Sequence, residues 1–225
     1  MSTQVLYHAF GVIGYRHVSF HNEGGDLVWV IERPRHKMRC AVCESNRVHK
    51  VGTSSVRNLH TLPVGPKHVF LRVTVAKLFC RRCVAIHAEL CPLVEGKRHY
   101  TRALERFAVM LCRVMTIKDV AKHLGLAWDT VKAMEKRYLK RRFDPPPIRD
   151  VQRIAIDEIA VRKGHVYKTV VLDLDSGHIL HVGDGKGAEA VEPFFRRLRR
   201  ARVMLKAIAM DMSSSYLSAV KLWAP

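Results

Sequence analysis

Two cysteine pairs, Cys40-Ala-Val-Cys43 and Cys80-Arg-Arg-Cys83, have the C-x-x-C spacing that lets two thiolates on one tight turn point at a single tetrahedral metal ion. The gap between the pairs exceeds that of a usual zinc ribbon, but the strand-like runs inside it can fold back and bring four sulfurs together. Structural zinc is the expected ion, because a small β module gains much of its folding energy from its metal. Two unrelated redox or buried pairs are the alternative. His87 and Cys91 lie close enough in sequence to compete as ligands, whereas Cys112 stands among Met110, Leu111 and Val114 and reads as plain core.

The next candidates are acids on strands. Asp157 lies within Ile154-Ala-Ile-Asp-Glu-Ile-Ala160, and Asp211 follows Ile208-Ala-Met210. An acid in an apolar strand is costly to bury unless it holds a metal ion or a strong partner. Two such acids on neighbouring strands can bridge a pair of divalent cations about 4 Å apart, the arrangement for in-line phosphoryl transfer. Strand-end aspartates also cap turns, so the pattern alone leaves both readings open. Glu158, Asp173, Asp175 and Asp184 look like hairpin and surface residues. Gly183-Asp-Gly185-Lys-Gly187 opens a helix after a strand and invites a dinucleotide-binding reading, but the preceding strands form a hairpin, so a tight loop is expected instead.

The third candidate is a surface. From Thr116 to Met134 the sequence has helix-turn-helix logic: the small Ala121 lets two helices approach, and Gly125 four residues later can take the left-handed turn conformation. Ile117, Val120, Leu124, Leu126, Val131 and Met134 would fill its core. The second helix then offers Trp128, Asp129, Thr130, Lys132, Lys136 and Arg137 to a major groove, with Arg141 in the basic run that follows. A helical hairpin that merely packs is the bland alternative. Phe194-Phe-Arg-Arg-Leu-Arg-Arg200 fits DNA contact and a solvated helix face equally well.

These groups need elements to hold them. Tyr15 to Glu32 reads as a hairpin turning through His21 to Asp26. Val69, Leu71, Val73 and Val75 alternate as a strand, preceded by a turn at Leu62 to Pro66. From Thr101 the period becomes helical, with Leu104, Phe107, Ala108, Leu111 and Val114 on one face. Three prolines after Asp144 stop helix outright. Beyond them, strands are expected at 154–159, 166–174, 178–182 and 207–210, with a helix over 188–202. The expected organisation is an α+β multidomain chain: a β hairpin and zinc-ribbon-like module over 1–95, a helix-turn-helix region over 96–143, a proline-rich linker over 144–150 and a further domain over 151–225.

Charge agrees with a nucleic-acid partner. Lys and Arg number 39 against 20 acids in 225 residues, a net +19, most of it before Asp150. The sequence has no apolar run long enough to span a bilayer and no signal-peptide pattern, so a cytoplasmic protein without a membrane partner is expected. There, reducing conditions leave the six cysteines as ligands, core or thiols rather than disulfides.

Three ordered stretches, Ile156-Asp-Glu-Ile-Ala-Val-Arg-Lys-Gly-His-Val-Tyr167, Val171-Leu-Asp-Leu-Asp-Ser-Gly177 and Met210-Asp-Met-Ser-Ser-Ser-Tyr216, resemble the ISL3 family of insertion-sequence transposases. The two cysteine knuckles and Leu124-Gly-Leu-Ala-Trp-Asp-Thr-Val131 resemble that family's zinc-binding and helix-turn-helix regions. The resemblance implies a ribonuclease-H-like catalytic domain, an Asp-Asp-Glu triad working with magnesium or manganese, and binding to the double-stranded DNA of insertion-sequence ends, with homo-oligomers forming on DNA. By motif position Asp157 matches the first acid and Asp211 the second. The family's third acid lies on a helix beyond Pro225, so a partial, C-terminally truncated catalytic domain is expected. A non-catalytic DNA binder that represses transposition is the rival reading. An RNA-binding zinc protein fits the charge but leaves Asp157 and Asp211 unexplained.

Overall fold

In the computed structural model, residues 3–143, 146–162, 166–211 and 214–224 are described. Asp144 and Pro145 of the expected linker, and Lys163 to His165 and Met212 to Ser213 within the family-like stretches, lie outside them. The chain divides into two compact units, 1–141 and 142–225.

The first unit opens with helix α1 (Thr3–Phe10), which the sequence reading passed over. Its signal is the Leu6 and Phe10 pair one turn apart, both buried against a four-stranded sheet. That sheet has the order β1 (Arg16–Glu23), β2 (Asp26–Glu32), β5 (Lys67–Val75), β4 (Ser55–Val64). The first two strands form the expected hairpin, with a turn narrower than expected because Gly24 and Gly25 both take positive φ. Val69, Leu71, Val73 and Val75 of β5 face the core, as strict alternation requires. Leu62 and Pro63 lie within β4 rather than in a turn. Proline is tolerated there because β4 is an edge strand with an irregular register between Thr61 and Val64.

A second sheet of the unit contains β3 (Val48–Lys50), β6 (Lys77–Cys80) and β7 (Ala85–Ala88), all antiparallel. Three helices follow: α2 (Arg102–Leu111), α3 (Ile117–Leu124) and α4 (Trp128–Phe143). Thr101 and Thr116 cap the first two by accepting from the amides of Leu104 and Asp119, each at 3.2 Å. Their shared core contains Leu104, Ala108, Val120, Ala121, Leu124, Val131 and Met134. Val114 was expected on the same face but is exposed, because α2 ends at Leu111 and the chain turns before it.

The second unit has one sheet in the order β10 (Ile179–Asp184), β9 (Val166–Asp173), β8 (Arg153–Arg162), β11 (Ala207–Met210). The first three strands are an antiparallel meander, and β11 joins β8 in parallel. The helix expected over 188–202 is a short 3-10 turn followed by α5 (Glu192–Arg200), because Pro193 fits only the first turn of a helix. Helix α6 (Ser214–Trp223) was also unforeseen. Tyr216, Ala219, Val220 and Trp223 line its inner face, and Phe194, Phe195 and Leu198 of α5 belong to the same core.

Candidate metal centres and nucleic-acid interface

Cys40 and Cys80 are buried, and Cys43 and Cys83 are half-buried. The four sulfurs lie within 4.8 Å of one another. Cys40 and Cys83 stand 4.0 Å apart, and Cys43 and Cys80 3.5 Å apart. A tetrahedron with metal–sulfur bonds of 2.3 Å has edges of about 3.8 Å, so the donor set fits a tetrahedral ion. Sheet pairing explains the approach: Val48 pairs with Cys80 between β3 and β6, and Cys40 bridges to Glu89 just past β7.

Both knuckles use the same backbone device. The residue after each second cysteine, Glu44 and Val84, takes positive φ, at 57° and 53°. This turns the chain out of the knuckle so that both cysteines of a pair face inward. Proton sharing splits the thiols: hydrogen bonding from the Cys83 backbone pulls Cys80 down to about 7, while the Cys43 side chain pushes Cys83 up to about 12. Cys91 is elsewhere, buried and receiving the Tyr15 hydroxyl at 3.5 Å. Neither Cys91 nor His87 belongs to the four-sulfur cluster.

The helix-turn-helix is closed by Gly125 at φ 60° and ψ 35°, whose amide lies past the last turn of α3. On α4, Trp128, Asp129, Lys132, Lys136 and Arg141 are exposed and Thr130 is half-buried. The Lys132 ammonium sits 4.6 Å from the Trp128 ring centroid, so these neighbours one turn apart act as one cationic surface. Arg137 turns inward instead. It donates to the Glu105 carboxylate at 3.0 Å and to the Tyr100 hydroxyl at 2.6 Å. Glu105 is buried and also meets Arg98 at 3.3 Å and Arg141 at 3.7 Å, which ties α2 to the middle of α4.

In the second unit, the parallel ladder of β11 on β8 ends with Met210 opposite Ile156, and Asp211 and Asp157 are the residues that follow these two. Ile154, Ile156, Ile208 and Met210 pack toward the helices, and alternation along β8 therefore sends Asp157 to the opposite sheet face. Both are exposed. The Asp157 carboxylate accepts from the Glu158 amide at 2.7 Å. The other acids divide clearly. Asp173 caps its turn, accepting from Ser176 N at 3.2 Å, and Asp175 pairs with Arg153. Asp184 pairs with Lys168.

Glu158 stays close to Asp157, where it interacts with the Tyr216 hydroxyl. Tyr216 also meets the Thr169 hydroxyl at 2.9 Å, and burial raises the phenol above its ordinary range. The sequence reading missed this buried polar contact, although its Asp-Met-Ser-Ser-Ser-Tyr stretch contains the tyrosine. The glycine loop is the expected tight turn: a Cβ on Gly183 would stand 2.1 Å from the Ala190 carbonyl oxygen, and the strands before it are antiparallel.

Comparison with known proteins adds lineage. Residues 90–139 match the family model of the helix-turn-helix domain of transposase family ISL3, and residues 154–225 match a family model described as transposase. The chain is 28% identical over 214 residues to the transposase for insertion sequence element IS1001 of Bordetella parapertussis, across 94% of this chain and 52% of that protein. It is 27% identical over 191 residues to the transposase for IS1557 of Mycobacterium tuberculosis, across 80% of this chain and 42% of that one. The chain thus spans about half the length of the curated relatives it matches. No solved structure matches. Among the described residues, no helix is long and apolar enough to cross a membrane.

Proposed function

Because this chain belongs to the ISL3 family of transposases, we propose that it serves as the DNA-recognising and metal-holding part of an insertion-sequence transposase. The observation that carries the reading is the register of β8 and β11. Met210 stands opposite Ile156 on strands about 4.8 Å apart, which supports reading Asp157 and Asp211, the residues that follow, as neighbours. Two carboxylates so disposed suit a divalent magnesium or manganese ion, which supplies Lewis-acid polarisation of a scissile phosphate. Three antiparallel strands followed by a parallel fourth, in the order β10-β9-β8-β11, support a ribonuclease-H-like reading of this unit.

In the first unit, Cys40, Cys43, Cys80 and Cys83 would hold structural zinc. Helix α4 would enter the major groove, with Trp128, Asp129, Thr130 and Lys132 nearest the bases and Lys136 and Arg141 on phosphates. Arg137 would position α4 through Glu105 rather than touch DNA.

Footprinting on terminal repeats of an insertion sequence, with magnesium present, tests the reading. Protection of the ends that is weakened by Lys132→Ala with Lys136→Ala, and kept by Asp157→Asn, is expected. Equal affinity for end and scrambled duplexes would remove the recognition role.

A further inference from the structure

We propose that the four-cysteine module carries its own phosphate-binding surface, a groove lined by Arg47, Arg81, Arg82 and His49 that takes the backbone of duplex DNA. This surface rests on the reading that the chain binds DNA, and it adds a second contact remote in sequence from α4. The groove has a volume of about 730 Å³, and Ser45 and Asn46 complete its polar wall. Among the described residues, no carboxylate lines it.

The arginines are brought together by strand register. Val48 pairs with Cys80, and the ladder runs on through the Arg81 amide, which donates to the Arg47 carbonyl at 3.0 Å. Arg47 and Arg81 therefore stand opposite each other across two strands, with Arg82 next at the knuckle tip. Like charges directly opposed cost stability unless an anion lies between them. Several arginines elsewhere in this unit have acidic partners, Arg16 with Glu32, Arg72 with Glu23, and Arg98 with Glu95 and Glu105, and others such as Arg39 and Arg57 donate to backbone carbonyls. Among the described residues, the side chains of Arg47, Arg81 and Arg82 form no ion pair and no hydrogen bond. All three are exposed.

The adjoining groove, of about 300 Å³, shares Val48 and His49 and adds Arg35 and Lys50, so the basic strip extends along the sheet. Guanidinium forks suit phosphate oxygens, and the Ser45 hydroxyl and Asn46 amide are typical backbone-contacting groups. Among the described residues, the larger groove is lined by no aromatic ring besides His49, whereas single-stranded sites stack bases on several aromatic platforms. A duplex backbone is the better occupant.

The test uses the full chain carrying Arg47→Ala, Arg81→Ala and Arg82→Ala together, beside a Lys132→Ala, Lys136→Ala chain. Binding to labelled duplexes of end and unrelated sequence is followed by anisotropy across a salt series, with zinc content measured in parallel. Each lost phosphate contact lowers the slope of log affinity against log salt by about 0.9, so the triple variant should lose roughly 2 to 3 on both duplexes. Triple Arg→Lys should keep the slope, and zinc content should be unchanged. If only the α4 variant weakens binding, the groove is not a DNA surface and the helix-turn-helix reading stands. If the unaltered chain binds neither duplex, both fall. Zinc loss with an unchanged slope would show that the arginines merely balance the thiolate charge. Stronger competition by a single-stranded oligonucleotide than by duplex would overturn the choice of occupant.

Discussion

Gly125 rests on the imidazole of His68: a Cβ built on the glycine would stand 2.7 Å from Cε1 and 2.9 Å from Nε2 of that ring. The turn of the helix-turn-helix is thus seated on β5, and the glycine is required both for its left-handed φ and for this approach. Gly125→Ala should destabilise the unit by about 2 kcal/mol, from backbone strain plus the forced contact. Adding His68→Ala should recover the contact part alone. Chemical denaturation of the three variants measures the split, and a neutral Gly125→Ala would mean that the turn is not held against the sheet.

His60, beside His68, ties protonation to folding. Burial and then the charge of His68 depress it to about 4, and its ring stacks on Phe70 with centroids 4.8 Å apart. The unfolded chain, with an ordinary histidine near 6.5, binds the proton first. Stability is therefore fully present above about 6.5 and falls as pH drops from there toward 4. Melting temperatures taken across that window should decline in the unaltered chain. His60→Phe, which keeps the stacking surface without the titration, should flatten the decline. Parallel curves for the two proteins would assign the pH dependence to other groups.

Glu44 and Val84 hold left-handed backbone without being glycine, and Val84 is β-branched, which makes that conformation costly. Val84→Gly should therefore stabilise the four-cysteine module by about 1 kcal/mol, with a smaller gain for Glu44→Gly. Resistance to a zinc chelator, read as a release rate, should rise with it. Faster release from Val84→Gly would show that the side chain packs usefully where the backbone suggests only strain.

How much of this was readable in advance follows from the range of the interactions. The cysteine knuckles and Gly125 are local patterns, and local spacing identifies them. The alternation of Val69 to Val75 and the strand leading to Asp211 are equally local. Arg47 facing Arg81 is not, because it depends on the register of two neighbouring strands, β3 and β6, that are far apart in sequence. Arg137 reads as a DNA contact from its place in a basic run, and only Glu105, buried and 32 residues away, shows what occupies its guanidinium. Helix α6 was overlooked although Tyr216, Ala219, Val220 and Trp223 have helical spacing, since the serines before them read as loop.

Arg137 can be separated from the phosphate-facing lysines by experiment. Its guanidinium joins α4 to a buried carboxylate, so Arg137→Ala leaves Glu105 with fewer partners and should cost about 2 kcal/mol of stability. The salt slope of DNA binding should hardly change. Lys132→Ala with Lys136→Ala should do the reverse, lowering the slope by about 0.9 per contact while leaving the melting temperature nearly constant. A slope loss for Arg137→Ala equal to that of the lysines would return it to the DNA surface.

Asp157 and Asp211 yield opposite expectations with and without metal. Asp157 on β8 and Asp211 just past β11 are both exposed, and if their carboxylates approach as the proposed metal site requires, removing one charge relieves repulsion by about 0.5 kcal/mol. Asp157→Asn and Asp211→Asn should each melt slightly higher than the unaltered chain in chelator. Manganese should then raise the melting temperature of the unaltered chain in a concentration-dependent way, because a ligand that binds only the folded state stabilises it by mass action. Either asparagine variant should lose most of that gain, since each removes a negatively charged oxygen donor from a hard-cation site. Glu158→Gln gives a control close in sequence, with its carboxylate engaged by Tyr216, and should retain the manganese response. If the two aspartate variants respond to manganese as the unaltered chain does, the paired strands hold no metal, and Asp157 and Asp211 are solvated strand-end acids.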